Sequence, residues 1–307
     1  MKIFLKSFIL FILPLLIICF FTEKSLREIP NEYSLKKDYL DKHSNQIETL
    51  FLGNSHVYFG LNPKYIKSNS FNSAQVSQSL DFDLKIFKKY KKRWKKLKFI
   101  VIPVDYFSLY SNLGDGIESW REKNYYLYFD IKSNTNILEK FEIFNYKLKN
   151  NYHRLSYFYF EKKSTISCSK YGWGINDSSK QNRDLLLSGI TTAKRHTAKN
   201  DLLFNFNKTV LREIIELAKE NNTTVILVTS PTYRSYFENL DNKQLNKTLN
   251  EIVNIEHSFH NVKYFNFLKN LSFNKEDFYD ADHLNEIGAK KWTLKIDSII
   301  NLETNKN

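Results

Sequence analysis

The chain has 307 residues, enough for one large domain or two small ones, so its length alone excludes little. Lys and Arg number 46 against 33 Asp and Glu, a net charge of +13 that would suit an anionic polymer or lipid surface. Lys, Asn, Ile, Phe and Tyr are all abundant, however, so the excess reflects composition and no nucleic-acid partner is expected. The only two cysteines, Cys19 and Cys168, imply no disulfide framework.

The N-terminus carries a membrane segment. Lys2 and Lys6 precede an apolar run from Phe8 to Phe21, and about twenty residues counted from Ile3 suffice to cross the hydrocarbon core. No small-x-small cleavage site follows, so residues 1–24 are predicted to be an uncleaved anchor, with a removed signal peptide as the alternative. The early lysines favour an N-terminus inside the cell, which places the remaining chain outside the cytoplasm.

The anchor is followed by a charged stalk over residues 25–46, with a short helix near residues 35–40, and by an α/β domain over residues 47–307. Helical repeats, such as Leu84, Phe87 and Tyr90, separate several apolar runs that have the length of buried strands. Alternating strands and helices predict a doubly wound, flavodoxin-like parallel sheet. The five predicted strands are Glu48–Leu52, Ser70–Ala74, Phe99–Val104, Thr224–Thr229 and Val262–Phe267.

A dense run of basic residues, KKYKKRWKKLK, covers residues 88–98. We place it on the first helix of the domain, where its charges surround an apolar stripe and form a solvated face. Contact with anionic lipid or glycan near the anchor is the alternative interpretation.

The alternation of strands and helices is interrupted from about residue 109 to residue 199 by a segment rich in aromatic residues. It is too long for a structureless loop, so it is predicted to be an inserted subdomain or a lid. Its aromatic side chains would form a core or, at the rim of a site, pack against sugar rings.

Two short motifs carry the candidate chemistry. The first strand ends in GNSH, which puts Ser55 at the carboxyl edge of the sheet, where α/β proteins gather their ligands. Near the C-terminus, DADH places Asp280 and His283 three residues apart at the entrance of the last helix. A serine nucleophile needs a histidine base whose other nitrogen is held by a carboxylate, so these motifs predict a Ser55–His283–Asp280 triad.

The order of these motifs resembles the SGNH or GDSL hydrolase family, and the resemblance covers most of the chain after the anchor except the insertion. Gly53-Asn54-Ser55 matches the family's first motif, and Asp280-Ala281-Asp282-His283 matches its last. The resemblance implies that Ser55 is the nucleophile.

The second and third motifs of the family are altered. FNSAQVSQSL resembles the second motif, with Ser77 in place of the glycine whose amide lines the oxyanion hole with that of Ser55. IPVDYFSL, after the third strand, lacks the family's asparagine, and Asn72 or the insertion is the expected substitute donor.

Other polar residues are expected at the same edge. His56 is predicted to cap or line the site, and Tyr233 and Arg234, after the fourth strand, to face substrate or solvent. His56 has no further ligand at metal-binding spacing, and no glycine-rich phosphate loop occurs, so neither a metal nor another cofactor is expected.

These observations predict an extracytoplasmic, membrane-anchored serine ester enzyme. The resemblance is to divergent anchored relatives that handle acyl groups on cell-surface polysaccharides, often beside a membrane-bound O-acyltransferase. The expected substrate is an acylated glycan or another ester, with acetyl as the expected acyl group. Transfer of the acyl group to water would make the protein an esterase, and transfer to a sugar hydroxyl would make it an O-acyltransferase. The alternative is a non-catalytic glycan-binding or assembly protein with an impaired site.

Overall fold

The computed structural model describes residues 1–133, 136–175, 179 and 184–306. The chain divides into two compact units, one of Met1–Lys37 with Trp120–Ile166 and one of Asp38–Ser119 with Ser167–Asn307. Twelve α-helices are described: α1 Lys2–Arg27, α2 Glu32–His43, α3 Ser55–Gly60, α4 Leu80–Lys89, α5 Glu122–Phe129, α6 Glu142–Asn145, α7 Leu148–Leu155, α8 Leu185–His196, α9 Phe204–Glu220, α10 Arg234–Phe237, α11 Asn242–Ser258 and α12 Glu286–Thr304.

The first unit is helical. Its helix α1 contains a stretch, Phe8–Arg27, that is long and apolar enough to cross a membrane and is almost entirely exposed. At the end of α1, the Glu23 carboxylate accepts hydrogen bonds from the backbone N–H groups of Glu142 and Ile143, at 3.0 and 2.8 Å. These bonds satisfy two donors at the start of α6, which a helix cannot satisfy itself. The predicted insertion, residues 109–199, is divided between the two units. Its part Trp120–Ile166 belongs to the first unit, and the rest belongs to the second.

The second unit is built on a five-stranded, fully parallel sheet in the order β2-β1-β3-β4-β5. The five strands predicted from the sequence all form, four of them with slightly shorter bounds, and the predicted α/β class is confirmed. The near-continuous burial of β1, β3 and β4 explains why these three appear as apolar runs in the sequence. The strands are β1 Thr49–Phe51, β2 Ser70–Asn72, β3 Phe99–Pro103, β4 Thr224–Thr229 and β5 Val262–Asn266.

The basic run corrects one detail of the sequence analysis. Helix α4 ends at Lys89, and Lys91–Arg93 form a separate 3₁₀ turn, so most of the basic residues lie beyond the helix. The indole N–H of Trp94 donates to the carbonyl of Phe87 at 3.1 Å, which turns the chain back at the helix end and satisfies one of its open carbonyls. The lysines themselves are exposed, as expected for a solvated face.

Candidate active site

The carboxyl end of β1 presents Ser55 through a tight turn at Gly53. Gly53 has φ of +113°, and a Cβ there would lie 2.2 Å from Cδ of Pro103 at the end of β3, so only glycine fits. Asn54 then caps α3, its side chain accepting the backbone N–H of His56 at 2.9 Å. Ser55 is therefore the first residue of α3, and the turn and the cap fix its backbone.

Ser55 meets the C-terminal motif at hydrogen-bonding distance. Its Oγ lies 2.8 Å from Nε2 of His283, whose Nδ1 lies 2.9 and 3.2 Å from the two carboxylate oxygens of Asp280. Asp280 Oδ1 also accepts the backbone N–H groups of Asp282 and His283, at 3.2 and 2.8 Å, which fixes the carboxylate within its own loop. The structure thus brings together the three residues of the predicted triad, although Ser55 and His283 lie 228 positions apart in the sequence.

The charge state of His283 is governed by two carboxylates. Burial lowers the pKa of His283, but the charges of Asp282 and Asp280 outweigh it and raise this pKa to about 9. Asp282 Oδ1 lies 3.6 Å from Nδ1 of His283, behind the closer contact from Asp280. The free site therefore favours the imidazolium, and the neutral base is the minor form near pH 7.

The second-motif loop lies beside the turn at Gly53. Its Gln75 donates its backbone N–H to the Gly53 carbonyl at 3.0 Å. The Asp83 carboxylate accepts both the Gly53 N–H, at 2.7 Å, and the side-chain amide of Gln78, at 2.5 Å. Between them, Ser77 has φ of 60°, in the left-handed region that glycine adopts without strain. Ser77 thus holds a backbone conformation that is more costly for serine than for glycine.

Asn72 corrects the predicted oxyanion hole. Its side-chain nitrogen donates to the carbonyls of Val57 and Leu61, both at 2.8 Å, and its oxygen accepts the N–H of Ala74 at 3.0 Å. Both amide hydrogens are thereby used, because an amide has only two. Asn72 ties the end of β2 to α3 and does not serve as an oxyanion donor.

His56 was predicted to cap or line the site as a substrate-binding residue, whereas the structure gives the cap to Asn54 and engages His56 with two carboxylates. The residue is buried, with Nδ1 2.9 Å from Asp105 Oδ2 and Nε2 3.3 Å from Asp282 Oδ2. Burial opposes a charge there, but Asp105 and Asp282 raise the pKa of His56 to about 10. Sequence reasoning missed Asp105, although an acid directly after a buried strand, in the third-motif stretch that lacks asparagine, was a signal for it.

Tyr233 and Arg234 follow β4, near the loop that carries Asp280 and His283. The N–H of Tyr233 donates to the carbonyl of Ala281 at 2.8 Å, and its half-buried ring packs edge-on against Phe278. Arg234 is exposed. The N–H of Ala281 donates to Ser188 Oγ of α8 at 3.1 Å, so the loop is braced from two sides. The structure contains no ligand, and substrate contact by Tyr233 or Arg234 stays a prediction.

Among the described residues, His56, Asp282 and His283 place atoms that could bind a metal ion within 4.8 Å of one another. Both nitrogens of His56 face carboxylates, and the nitrogens of His283 face Ser55 and Asp280. The ring nitrogens are thus engaged in hydrogen bonds, and we interpret the cluster as an acid–base network.

No protein-family model and no curated protein matches the chain. Among solved structures it is similar to a GDSL-like lipase from Bacteroides thetaiotaomicron, with 11% identity, a TM-score of 0.41, and coverage of 89% of this chain and 98% of the other. It is also similar to a "putative acylhydrolase" from Bacteroides fragilis, with 11% identity, a TM-score of 0.40, and coverage of 87% of this chain and 94% of the other. Likenesses this low assign neither a family nor an activity, so the function depends on the geometry of the site.

Proposed function

We propose that the protein is a serine ester enzyme of SGNH type, in which Ser55 attacks an acyl carbonyl. The observation that carries the proposal is the continuous contact from Ser55 Oγ to His283 Nε2, at 2.8 Å, and from His283 Nδ1 to Asp280 Oδ1, at 2.9 Å. Nucleophile, base and orienting carboxylate are the three parts that hydroxyl activation requires.

The neutral form of His283 accepts the Ser55 proton at Nε2 while Oγ bonds to the acyl carbon. The backbone N–H groups of Ser55 and Ser77 receive the developing oxyanion, and the imidazolium, held by Asp280, then protonates the leaving alcohol. A water or a sugar hydroxyl resolves the acyl-enzyme with His283 again acting as base.

The altered third motif sets the expected rate. Asp105, the polar residue that directly follows Val104 after β3, is an acceptor-only carboxylate directed at His56, and it cannot stabilise an oxyanion. The proposed hole therefore has two backbone donors without the family's asparagine. Loss of one donor costs about 100-fold to 1,000-fold in kcat. We expect slow turnover on simple esters.

The proposed substrates are acyl, above all acetyl, esters on cell-surface glycans, handled outside the cytoplasm by a protein anchored through residues 1–24. The apolar stretch of α1 supports the anchor. A membrane-bound O-acyltransferase is the proposed partner where the reaction is transfer.

The nucleophile is tested by labelling the full chain in detergent with a fluorophosphonate probe. Wild type should be labelled, Ser55→Ala should not, and His283→Ala should be labelled far more slowly because the hydroxyl has lost its base. Ser258→Ala, at an exposed serine far along α11, is the matched control and should label as wild type does. A folded wild type that remains unlabelled would favour the non-catalytic glycan-binding alternative.

Hydrolysis and transfer are separated by the fate of the acyl group. Acetyl released from p-nitrophenyl acetate is followed as free acetate or as an ester on an added methyl glycoside. Predominant transfer to the glycoside supports the acyltransferase assignment, whereas acetate alone restricts the protein to esterase activity on this acceptor.

A further inference from the structure

A second histidine next to the nucleophile, His56, has a contact on each ring nitrogen. Nδ1 lies 2.9 Å from Asp105 Oδ2, and Nε2 lies 3.3 Å from Asp282 Oδ2, with both carboxylates buried. A neutral imidazole carries one N–H, so its other nitrogen would direct a lone pair at a carboxylate oxygen. Only the imidazolium donates at both positions, so the geometry itself indicates a buried positive charge.

The partners of His56 are held in place from several elements. Asp105 accepts hydrogen bonds from the Ser230 N–H, at 2.8 Å, and from the Asn54 side chain, at 3.1 Å. The rings of Phe107 and His283 pack edge-on against the His56 ring, at 5.5 and 5.2 Å between centroids. The residues that hold the cluster follow the ends of β1, β3 and β4. The His56 ring therefore cannot change its position without disturbing the edge of the sheet.

Asp282 links this histidine to the proposed base. One of its oxygens faces His56, while the other, Oδ1, lies 3.6 Å from Nδ1 of His283 and has no hydrogen-bond partner among the described residues. His283 already receives its orienting contact from Asp280. Without compensation, this second carboxylate would hold still more of His283 as the imidazolium, the form that cannot accept a proton.

We propose that His56 is a positioning residue, a buried imidazolium clamped between Asp105 and Asp282 that offsets part of the charge of Asp282 and so enlarges the fraction of His283 present as the neutral base. The proposal rests on the proposed function of the site and adds to it the device that sets its working pH. It also gives the altered third motif a role, because Asp105, in the stretch without the family's asparagine, holds the clamp.

The other ionisable groups around this cluster do not replace His56. Desolvation lowers the pKa of the half-buried His196 of α8 to about 3, so it is neutral and pairs with the Tyr236 hydroxyl at 2.8 Å. Burial also raises the pKa of Tyr236, which keeps that hydroxyl neutral. Arg195, beside His196, adds a positive charge that acts on His196 and Tyr236. Apart from His283 itself, His56 is the cation that the structure places against Asp282 among the described residues.

The test is the acid limb of kcat/KM for p-nitrophenyl acetate, measured on the full chain in detergent. His56→Gln keeps a donor but removes the charge, and it should move the limb upward by about one pH unit, a tenfold loss on the limb at fixed pH. Asp282→Asn should move the limb downward. In the Asp282→Asn background, His56→Gln should shift the limb by less than half as much, because the charge that it offsets is gone.

His196→Gln is the matched control, since it removes a half-buried histidine of the same neighbourhood that carries no charge, and the limb should stay in place. A lower kcat in His56→Gln with an unmoved limb would reduce His56 to a packing role and overturn the proposal.

Histidine side-chain NMR of isotope-labelled protein makes the test independent of turnover and of the stability of His56→Gln. In wild type, both ring nitrogens of His56 should stay protonated to about pH 9, and a neutral His56 at pH 8 would refute the clamp. The His283 resonance should titrate at higher pH in His56→Gln. If the protein neither labels nor hydrolyses esters, the proposed function fails while these titrations still decide the clamp.

Discussion

The substitution Asp280→Asn tests whether His283 and Asp280 act as the base and its orienting group. The pKa of His283 is about 9 because Asp282 and Asp280 outweigh the opposing effect of burial. At pH 7 the neutral base is then about one hundredth of the total, so kcat/KM should rise roughly tenfold per pH unit up to its plateau.

Removing the Asp280 charge takes away an interaction that favours the imidazolium, so the limb should move to lower pH by about 1–3 units. The plateau should fall as well, by up to about 10⁴-fold, because an asparagine no longer holds the imidazole in the tautomer with Nε2 free. The variant is therefore slower on the plateau, and its rate falls less steeply between neutral and acid pH.

The assay is kcat/KM for p-nitrophenyl acetate between about pH 5 and 10, corrected for spontaneous hydrolysis. Asp115→Asn, at an exposed aspartate, is the control and should reproduce the wild-type limb. A flat wild-type profile, or a limb at the same pH in Asp280→Asn, would show that the two residues do not work as the proposed pair.

Three further predictions concern stability and location. Gly53→Ala should lower the free energy of unfolding in urea by about 2–5 kcal/mol, because its Cβ clashes with Pro103 and its φ is positive. The control Gly116→Ala, at an exposed glycine, should show no such loss. Burial raises the pKa of Asp83 to about 7, so its folded state binds a proton that the unfolded state releases. Stability therefore falls as pH rises from about 4 to 7, and the advantage of Asp83→Asn should grow over that window; parallel curves would contradict this. The full chain should fractionate with membranes, and a C-terminal alkaline phosphatase should be active; an inactive fusion would reverse the orientation.

The sequence by itself determined the features that depend on neighbouring residues. Short runs with strand-like composition identified all five strands, and the central ones, β3 and β4, are almost wholly apolar because a strand buried on both faces needs few polar positions. The pairing of Asp280 with His283 was also local, because three residues of one loop suffice to bring carboxylate and imidazole together. The glycine before Asn54 indicated a turn in the same way, although the reason it must be glycine lies on β3, at Pro103.

The tertiary structure decided what each polar side chain at the sheet edge does. His56 follows β1 and Asn72 ends β2, at the edge where substrate-contacting residues often lie, yet both are buried and their side-chain nitrogens are engaged by groups on other elements. The partners of His56 lie 49 and 226 positions away in the chain. The same residue types can contact a ligand or form buried ion pairs. Burying a charge without a partner charge costs too much free energy, so the packing of three strand ends against the C-terminal loop decides which role each residue has.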